Sequence, residues 1–495
     1  MNNKVVSLLD LVKLVNNEEL SEPYVRYTCG IDSERQYRHQ EISDIATLLR
    51  TVSVTNDKLS GFIYGYVVPQ LNKEFDLLRI TQSTCLNIEL KSDQISSVKI
   101  ARQLYQNRHY LKLLNRPIES YTFVSSTGTL MKLDENNCAV ECSADELSSV
   151  LSVMESEVEI TDLDDVFTPS NILVSPFNAT ERFLQEDYLL TENQENIKKD
   201  ILSYICGKDT DRFVGLTGGP GTGKTLLIYD IARELAKKQK VLMVHSGILC
   251  EGQRELNEKL SNIRIISAKD LRLREIKDVE IVIVDEAHRL YLESLEKVER
   301  WVKRSNTTCL FSYDAGQMLS IAEKQRNVSE KIDQLCSNHS FKLKSKIRTN
   351  RELALFISCL RDLSQFQDDY RFPNVRIVFE PNQRNALNCI EKFKQEGYTF
   401  ISYTPSRYNH SLDYQSDTYN THNVIGQEFD SVCMIIDDNL YYDQNRKLKG
   451  RTHPNPDYLF EQLLYQGITR VRKRIALVVV SETVLKNVLP LMKNS

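Results

Sequence analysis

Short apolar runs and amphipathic stretches divide the chain into two halves of different character. Before about residue 143, the runs FIYGYVV, FDLLRI, CLNIEL and YTFVSS are mixed with helical patterns. After about residue 180, β-branched runs alternate regularly with helical patterns, as in RFVGLTG, KVLMVHS, EIVIVDEA, TCLFSYD and RIALVVV. Such strands separated by helices indicate a parallel sheet covered on both faces. We therefore predict an α/β fold for the second half.

A change in composition marks the boundary between the halves. The stretch Ser143–Asn178 is acidic at first and then carries two Pro-containing turns. A chain of 495 residues is also too long for a single hydrophobic core. We predict a first domain over residues 1–142 and an acidic linker over 143–180.

The bulk composition excludes some classes of protein. A hydrophobic fraction of 41% and a charged fraction of 26% are ordinary for a globular protein. The net charge of −5 gives no global basic signature, so any nucleic-acid binding must come from local patches. No apolar run reaches the roughly 20 residues of a membrane span, and the N-terminus is predicted to be an amphipathic helix rather than a signal peptide. We predict a cytoplasmic protein without a membrane partner.

Eleven cysteines are scattered along the chain without the Cys-x-x-Cys spacing of a zinc ribbon. Cys138 and Cys142 lie close together, with Cys29 and Cys85 as the nearest others. Free thiols in a reducing compartment are the main interpretation. An iron-sulfur cluster held by these four residues is the alternative.

A phosphate-binding loop is the strongest chemical signal in the sequence. The apolar run Arg212–Leu216 leads into Thr217–Thr225, TGGPGTGKT, and then into the helical pattern LLIYDIARELAKK. Glycines let backbone N–H groups wrap phosphates, Lys224 neutralises the β- and γ-phosphates, and Thr225 offers its hydroxyl to Mg²⁺. ATP or GTP binding is predicted, with ATP and Mg²⁺ as cofactors. The predicted nucleotide-binding residues of this loop are Gly218, Gly219, Pro220, Gly221, Thr222, Gly223, Lys224 and Thr225.

Two acidic residues predict hydrolysis as well as binding. Asp285 and Glu286 follow the apolar run EIVIV, which places them at the carboxyl end of a strand beside the phosphate loop. Asp285 is predicted to hold Mg²⁺, and Glu286 to polarise the attacking water.

Further motifs give the second half a family resemblance. LTENQENI, CLFSYDAGQMLS, KSKIRTNRELALF, THNVIGQEFDSVCMI and LLYQGITRVRKRIALVV occur in the order found in superfamily 1 helicases. From Asp187 to about Ser481 the chain resembles that superfamily, particularly its compact, Schlafen-type helicase-like ATPases. The resemblance implies nucleotide or motif roles for Gln194, Asp314, Gln317, Arg348, Gly426, Glu428 and Arg470.

The resemblance also implies how these residues act. Gln194 would contact adenine, Gln317 would sense the γ-phosphate, and Arg348 and Arg470 would reach the phosphates, with Arg470 as the arginine finger. Two RecA-like parallel-sheet lobes, over residues 181–345 and 346–495, would close on ATP. Only 60 residues separate Thr225 from Asp285, which leaves little room for duplex-separating insertions. Translocation is therefore favoured over processive unwinding.

Three residues lie where members of the superfamily contact single-stranded nucleic acid. His245 and Ser246 follow KVLMV, and Thr404 follows YTFISY. A capping role and a role in contacting the sugar-phosphate backbone are equally compatible with these positions.

The first half carries a second candidate site. EFDLLRI and CLNIEL, separated by TQST, predict an antiparallel hairpin. Period-2 geometry places Glu89 and Lys91 on one face, which Asp76 can approach from the neighbouring strand. Two carboxylates and a lysine would form a hard-oxygen site for Mg²⁺ or Mn²⁺, with Lys91 placed to orient a water.

The surroundings of this hairpin resemble the PD-(D/E)XK nuclease core, a restriction-endonuclease-like α/β fold. A helical stretch after the hairpin offers Gln106 and Tyr110 in a Gln-x-x-x-Tyr arrangement, with Gln103 as a competing glutamine. A helical stretch before it offers Glu41 as a third carboxylate, with Glu34 as the competing choice. The resemblance implies Asp76, Glu89 and Lys91 as catalytic residues. The implied metal ligands are Glu41, Asp76 and Glu89.

Together these patterns predict an ATP-dependent nucleic-acid translocase or helicase fused to a metal-dependent nuclease. DNA is the favoured partner, with a single-stranded tract in the motor, and antiphage defence or DNA processing is the expected setting. The alternative is a nucleoprotein-remodelling ATPase whose first domain is inactive and only binds DNA or partners. A nucleotide-switched signalling protein is a third, less favoured interpretation. A partner subunit or a homo-oligomer stays open.

Overall fold

The computed structural model describes residues 4–30, 37–68, 73–155, 162–167, 169–172, 174–207, 212–272, 278–305, 307–314, 316–344, 351–405, 414–416, 418–451 and 458–493. The chain divides into two compact units, Met1–Ile172 and Leu173–Ser495. Within the described ranges, no helix combines the length and the apolar character needed to cross a membrane.

The first unit is a six-stranded mixed sheet with helices. Its helices are α1 Leu8–Leu11, α2 Glu18–Cys29, α3 His39–Thr51, α4 Ser97–Leu111, α5 Ala144–Val153, α6 Leu163–Val166 and α7 Pro169–Ile172. Its strands are β1 Phe62–Val68, β2 Lys73–Ile80, β3 Cys85–Lys91, β4 Ile118–Val124, β5 Thr129–Leu133 and β6 Ala139–Cys142. Neighbouring strands follow chain order, and among the strands described in this unit only β3 and β4 pair in parallel. Helix α4 is the crossover that a parallel pair requires.

The predicted hairpin is confirmed as β2 and β3, with Leu77 opposite Ile88. These two apolar residues face the main core of the unit, which also holds Leu48 of α3 and Leu151 of α5. Because successive side chains of a strand point to opposite faces, Asp76 and Glu89 lie on the other face of the same strands. The hairpin register therefore decides which side chains can form a site.

The predicted linker over 143–180 is wrong for its first part. Residues 144–153 form helix α5, and Leu147, Leu151 and Met154 are buried in the core of the first unit. Ser143 caps this helix by accepting a hydrogen bond from the Glu146 N–H. Two of the acidic residues in this stretch, Asp145 and Glu146, lie in the first turn of the helix, where the helix dipole favours them.

The second unit contains two parallel sheets. In its first lobe the helices are α8 Thr180–Leu184, α9 Glu192–Cys206, α10 Lys224–Ala236, α11 Glu251–Lys259, α12 Leu292–Arg304, α13 Ile321–Arg326 and α14 Val328–Leu335. Its strands are β7 Phe213–Gly218, β8 Val241–His245, β9 Ile263–Ser267, β10 Ile281–Asp285, β11 Thr308–Tyr313 and β12 Ser340–Leu343, in the sheet order β12-β7-β11-β10-β8-β9.

The second lobe has a smaller sheet. Its helices are α15 Arg351–Arg361, α16 Gln383–Gln395, α17 Phe460–Ile468 and α18 Glu482–Met492. Strands β13 Val375–Phe379, β14 Thr399–Phe400, β15 Phe429–Ile436 and β18 Val471–Val479 pair in parallel in the order β13-β18-β15-β14. Strands β16 Leu440–Tyr442 and β17 Leu448–Gly450 form a separate antiparallel pair.

Both faces of the first-lobe sheet are covered, as the β-branched runs predict. Along β10, Ile281 and Ile283 belong to one hydrophobic core, and Val282 and Val284 belong to the core on the opposite face. A strand buried on both sides cannot alternate between apolar and polar residues. The α/β fold with parallel sheets predicted for this half of the chain is confirmed.

Candidate functional site

The phosphate loop joins β7 to α10 at the edge of the first-lobe sheet. Gly221 and Gly223 have φ angles of 78° and 80°, a left-handed conformation that favours glycine. A Cβ on Gly218 would lie 2.6 Å from the Thr222 Oγ1 atom. The Lys224 Nζ atom donates to the carbonyl oxygens of Gly218 at 2.6 Å and of Gly219 at 3.1 Å. The loop therefore curves around the ammonium group as a phosphate cradle does.

Gln194 supports this loop from α9. Its Oε1 atom accepts from the Thr191 N–H at 2.9 Å in a capping box, and its Nε2 atom donates to the Thr222 carbonyl at 3.3 Å. The side chain is buried, with 1% exposure. The structure thus places Gln194 against the phosphate loop, and its contact with adenine stays a prediction.

Asp285 ends β10 next to the phosphate loop. Its Oδ1 atom accepts from the Glu286 N–H at 3.0 Å, whereas its Oδ2 atom is buried without a hydrogen-bond partner in the described part of the chain. A buried carboxylate oxygen without a partner is costly unless a ligand pairs with it. Asp285 and the Thr225 hydroxyl are hard oxygen ligands, so the residues present fit the Mg²⁺ that the predicted nucleotide site requires.

Glu286 is held in an unusual conformation beside several cations. It has a φ of 54°, in the left-handed region, and its Oε2 atom lies 3.4 Å from both the His288 Nε2 and the Arg289 Nε atoms. Burial favours the neutral acid, but the interaction with the neighbouring His288 and the fixed positive charges of Arg289 and Lys224 outweigh it and hold the pKa of Glu286 below its ordinary value. The carboxylate is therefore ionised at neutral pH, which suits it to orient a water.

His288 connects this strand end to the next motif. Its Nδ1 atom accepts from the Asp314 N–H at 3.2 Å, which fixes the imidazole between β10 and the segment after β11. Burial and the charge of Arg289 lower the pKa of His288 to about 3. The ring is neutral at physiological pH, so Arg289 and Lys224 supply the positive charge around Glu286.

One cavity is lined by residues from both lobes of the second unit. Its lining consists of Pro220, Gly221, Thr222, Gly223, Lys224, Thr225, Glu286, Gln317 and Arg470. Arg470 comes from the second lobe, is only 3% exposed, and donates from Nε to the Gln466 carbonyl at 3.3 Å. The Gln317 Oε1 atom is buried without a hydrogen-bond partner among the described residues. The cavity thus unites predicted phosphate-binding, water-orienting, sensor and arginine-finger residues.

Arg289 and Glu323 are candidate functional residues that the sequence reasoning missed. Arg289 is buried next to Glu286, and its Nη2 atom donates to the Gln317 carbonyl at 3.2 Å. Its Nη1 atom lies 3.6 Å from the Glu323 Oε1 atom. The position of Arg289, directly after Asp285-Glu-Ala-His288, is the only signal in the sequence that could have identified it.

The predicted nucleic-acid contacts lie in different environments. His245 is 1% exposed, its Nδ1 atom is 3.5 Å from the Asp285 Oδ2 atom, and its ring packs edge-on against Phe177. The structure therefore directs His245 toward the nucleotide site and not toward solvent. The Ser246 hydroxyl is buried without a hydrogen-bond partner in the described ranges, and Thr404 bonds to the hydroxyl of Thr421 at 2.8 Å.

The remaining predicted motif residues are placed as follows. Gly426 has a φ of 81°, and a Cβ there would lie 2.8 Å from the Phe177 ring, so the second lobe closely approaches the first at this point. The Glu428 N–H donates to the Asn178 side chain at 2.9 Å. Arg348 lies outside the described residues.

In the first unit, the polar face of the hairpin brings Asp76 and Glu89 together. Asp76 is 7% exposed and accepts from the Leu90 N–H at 2.8 Å through Oδ2. Glu89 is 1% exposed, and the Lys91 Nζ atom lies 4.0 Å from its Oε2 atom. The structure brings together all three residues of the predicted catalytic set.

Amide side chains surround Glu89. The Asn107 Nδ2 atom donates to Glu89 Oε1 at 2.7 Å, Asn87 donates to the same oxygen at 3.3 Å, and Gln103 donates to Oε2. Of the two glutamines considered on α4, Gln103 contacts the site, because Gln103 and Asn107 are four residues apart on one helix face. Asn107 was not predicted, although its spacing from Gln103 would have indicated it.

Two buried carboxylates that face each other each disfavour ionisation of the other. Burial and the charge of Glu89 raise the pKa of Asp76 to about 8. A divalent cation would replace the proton, so this pair fits the Mg²⁺ or Mn²⁺ that a nuclease site implies. Among the described residues, however, no group of three or more Asp, Glu, His and Cys is arranged to hold a metal ion.

Glu41 is the third predicted ligand, and its charge contributes to the raised pKa of Asp76. Its Oε1 atom accepts from Arg38 Nη1 at 2.7 Å, and its Oε2 atom accepts from the Tyr64 hydroxyl at 2.8 Å. Both oxygens are therefore hydrogen-bonded to protein groups, and the role of Glu41 as a metal ligand stays a prediction. The competing Glu34 lies outside the described residues.

The cysteines do not form the alternative iron-sulfur site. Cys29 and Cys85 are buried, Cys138 is exposed, and no metal-binding group that includes them occurs in the described ranges.

Comparison with known proteins supports the interpretation of the second unit. Residues 212–380 match the family model "Schlafen group 3, DNA/RNA helicase domain". This range holds the phosphate loop, the Asp285–Glu286 pair and Gln317, and it covers roughly a third of the chain. The predicted helicase-type domain is confirmed over that range. No curated protein matches the chain.

Three solved structures of Pif1 helicases are distantly similar. One is a chain from a structure of two Pif1 helicases that coordinate in unwinding forked double-stranded DNA. It has 13% identity and a TM-score of 0.33, and the match covers 59% of this chain and 92% of that one. Pif1 from Candida albicans has 12% identity and a TM-score of 0.35, covering 61% and 100%. Pif1 from Bacteroides with ADP-AlF3 and single-stranded DNA has 13% identity and a TM-score of 0.34, covering 59% and 92%.

Proposed function

We propose that the second unit is an ATP hydrolase of the superfamily 1 helicase type that moves along nucleic acid. The observation that carries this proposal is the cavity that Lys224, Glu286 and Gln317 share with Arg470 of the second lobe. ATP bound there would contact both lobes, so closure of the lobes would complete the set of charges around the γ-phosphate. The match of residues 212–380 to a DNA/RNA helicase domain supports nucleic acid as the partner.

The proposed roles combine the predicted motif assignments with the positions of the described side chains. Lys224 neutralises the β- and γ-phosphates, and Thr225 and Asp285 would hold Mg²⁺, which would supply further charge neutralisation when bound. Glu286 orients the attacking water, Gln317 senses the γ-phosphate, and Arg470 stabilises the charge of the transferring phosphoryl group. Gln194 and Glu428 complete the proposed nucleotide and motif contacts. Arg348, which lies outside the described residues, keeps its predicted phosphate contact.

The motor is tested by ATP hydrolysis with and without nucleic acid. We expect wild-type phosphate release to rise on addition of single-stranded DNA or RNA oligonucleotides, and the separate responses to DNA and RNA decide between the two partners. Glu286→Gln should retain ATP binding, but its turnover rate should be roughly 10² to 10³ times lower, because a carboxylate no longer orients the water. The matched control is Glu293→Gln, an exposed residue of α12. Turnover indifferent to nucleic acid would refute the motor.

For the first unit, we propose a metal-dependent nuclease that cuts DNA at the Asp76–Glu89 pair. Support comes from the two facing carboxylates, from Lys91 close to Glu89, and from the order of β1, β2, β3, α4 and β4 around them. Asp76 and Glu89 would hold Mg²⁺ or Mn²⁺, and Lys91 would orient a water toward the phosphodiester. Coupled to a motor, this activity fits antiphage defence or DNA processing.

The nuclease is tested by cleavage of labelled single- and double-stranded DNA with Mg²⁺ or Mn²⁺, with and without ATP. Glu89→Gln keeps an oxygen that Asn107 can bond to but removes the charge, so cleavage should fall at least about a hundredfold. Glu141→Gln, exposed on β6 of the same unit, is the matched control. Equal cleavage by Glu89→Gln and wild type, or cleavage by neither, would refute the nuclease.

One observation favours the alternative of an inactive first unit. Both oxygens of Glu41 are occupied by Arg38 and Tyr64, and Glu89 is already bonded to three amides. A nucleoprotein-remodelling ATPase whose first unit only binds DNA or partners would have such a satisfied site. DNA binding by the wild type without cleavage, together with nucleic-acid-stimulated turnover, is the result expected for this alternative.

A further inference from the structure

Arg289 makes three contacts with different parts of the first lobe. Its side chain is 3% exposed, and it is placed by the short turn Ala287–Arg289 that follows β10. The Nε atom lies 3.4 Å from the Glu286 carboxylate, and the Nη2 atom donates to the Gln317 carbonyl at 3.2 Å. Arg289 therefore touches both the proposed water-orienting residue and the backbone of the proposed γ-phosphate sensor.

The third contact leads away from the cavity, to Glu323 on α13. The Arg289 Nη1 atom is 3.6 Å from the Glu323 Oε1 atom, and Glu323 is 8% exposed. The other oxygen of Glu323 accepts from the Leu319 N–H at 2.6 Å and from the Ser320 N–H at 3.3 Å. One oxygen thus faces Arg289 while the other fixes the backbone at the start of α13.

That backbone is one of the places where the second lobe is bonded to the first. The Leu319 carbonyl accepts from the Leu459 N–H at 3.0 Å, and Ser320 forms an antiparallel bridge with Tyr458. The Leu319 side chain is buried in the hydrophobic core of the second lobe. Motion of the second lobe at this point must therefore act on the segment that Glu323 holds.

The same attachment lies at the beginning of the helix that leads to the arginine finger. Leu459 is the N-cap residue of α17, which ends at Ile468, two residues before Arg470. Arg470 in turn lines the cavity together with Glu286. A continuous series of contacts therefore runs from Glu286 through Arg289 and Glu323 to α17. It ends at Arg470, which lines the same cavity as Glu286.

We propose that Arg289 and Glu323 are positioning residues that couple attachment of the second lobe to the placement of Glu286 and Gln317, and so make ATP hydrolysis respond to nucleic acid bound by the motor. This inference rests on the proposed motor function. A buried ion pair contributes little net stability, because desolvation offsets its attraction, and its best attested use is to specify one arrangement over another. Here the arrangement is that of Arg470 relative to Glu286.

The test uses the full chain and separates kcat from KM for ATP, with and without a single-stranded oligonucleotide. Glu323→Gln keeps an oxygen for the Leu319 and Ser320 N–H groups and removes the charge that faces Arg289. We expect the stimulated kcat to fall about tenfold, within the usual range of coupling between sites, while the basal rate and the KM for ATP change less than about twofold. Glu330→Gln, exposed on α14, is the matched control and should behave as wild type.

A double variant tests whether the two residues act as one link. Arg289→Gln combined with Glu323→Gln should lower the stimulated kcat no further than the worse single variant, because both remove the same interaction. Should Glu323→Gln fail to fold, Arg289→Lys keeps the charge but lacks the second arm to Gln317, and it should lower the stimulated kcat at unchanged KM.

Full stimulation of Glu323→Gln, or of Arg289→Lys where that variant replaces it, would overturn the coupling role. A basal rate that falls in proportion to the stimulated rate would overturn it equally, because that result indicates a general structural defect. Wild-type hydrolysis that ignores nucleic acid would remove the proposed motor and this inference with it, and that outcome is visible in the wild type alone.

Discussion

The paired carboxylates of the first unit predict that metal binding releases a proton. The pKa of Asp76 is raised to about 8 by burial and by the charge of Glu89, so the carboxyl is protonated at neutral pH in the absence of a cation. A divalent cation binds the ionised form and must displace this proton. Affinity for the metal should therefore depend on pH in a range where an ordinary aspartate is fully ionised.

The magnitude follows from the position of the pKa. At about pH 7, roughly nine in ten Asp76 side chains carry the proton, so binding should release about 0.9 proton per Mn²⁺. The apparent Kd should fall about tenfold per pH unit between about pH 6 and pH 7.5 and become constant above about pH 8.5. In an enzyme whose carboxylates are held ionised by salt bridges, the metal affinity would instead be constant in this pH range.

The assay is calorimetric titration with Mn²⁺ in buffers of different ionisation enthalpy, without nucleotide. Asp76→Asn should bind the metal weakly and release no proton, whereas Asp145→Asn, exposed at the start of α5, should titrate as wild type. A Kd that is constant from about pH 6 to pH 8, or a proton release that persists in Asp76→Asn, would refute the reasoning.

The same pKa predicts a stability effect of the opposite sign. In the metal-free protein, the folded state binds a proton that the unfolded state has lost, so stability of the first unit should fall by about 1.4 kcal/mol per pH unit between about pH 4 and pH 8. Asp76→Asn removes this loss, since the amide stays neutral and keeps an oxygen for the Leu90 N–H. Hydrogen exchange of β2 and β3 amides at about pH 8 should be slower in the variant than in metal-free wild type.

Three further predictions concern the two sites. Lys224→Ala should lower ATP turnover at least about a hundredfold, measured by phosphate release, because the ammonium group in the phosphate cradle is lost. Gly426→Ala should lower the melting temperature more than Gly397→Ala does. Both positions have positive φ, but of the two only at Gly426 would a Cβ meet another side chain, 2.8 Å away. This clash should cost about 1 to 3 kcal/mol of stability. Asn107→Asp should place a like charge against Glu89 and speed hydrogen exchange in the first unit, and unchanged exchange would contradict the amide contacts.

Sequence patterns predicted the second unit well because its strongest signals are local. The phosphate loop needs glycine at fixed positions followed by a helix, and Asp285 must follow a buried strand, so both can be located without knowledge of the tertiary fold. Arg289 could not be identified as a functional residue from a local sequence signal. Its role depends on meeting Gln317 and Glu323 from other segments, and an arginine beside an acidic motif carries no such information by itself.

In the first unit, pairing of β2 with β3 was predictable, but the partners of Glu89 were not. The hairpin fixes Asp76 opposite Glu89 through period-2 geometry. Which residues of α4 cover Glu89 depends on the rotation of that helix on the sheet, and the structure selects Gln103 and Asn107 in place of Gln106. A helical position likewise does not reveal that Arg38 and Tyr64 bond to both oxygens of Glu41.

The two sites differ in how they are prepared for a ligand. Around the proposed nucleotide site, buried acceptors of Asp285, Asp314 and Gln317 have no hydrogen-bond partner in the described part of the chain. Nucleotide and Mg²⁺ would supply partners to groups that are costly when left alone, so binding there is favoured by relief of a cost already present. Glu89 is instead bonded to amides, and a cation at the proposed nuclease site would have to compete with those bonds and displace a proton from Asp76. Occupancy of the proposed metal site in the first unit should therefore depend on metal concentration and pH. Occupancy of the proposed nucleotide site in the second unit should depend on nucleotide concentration.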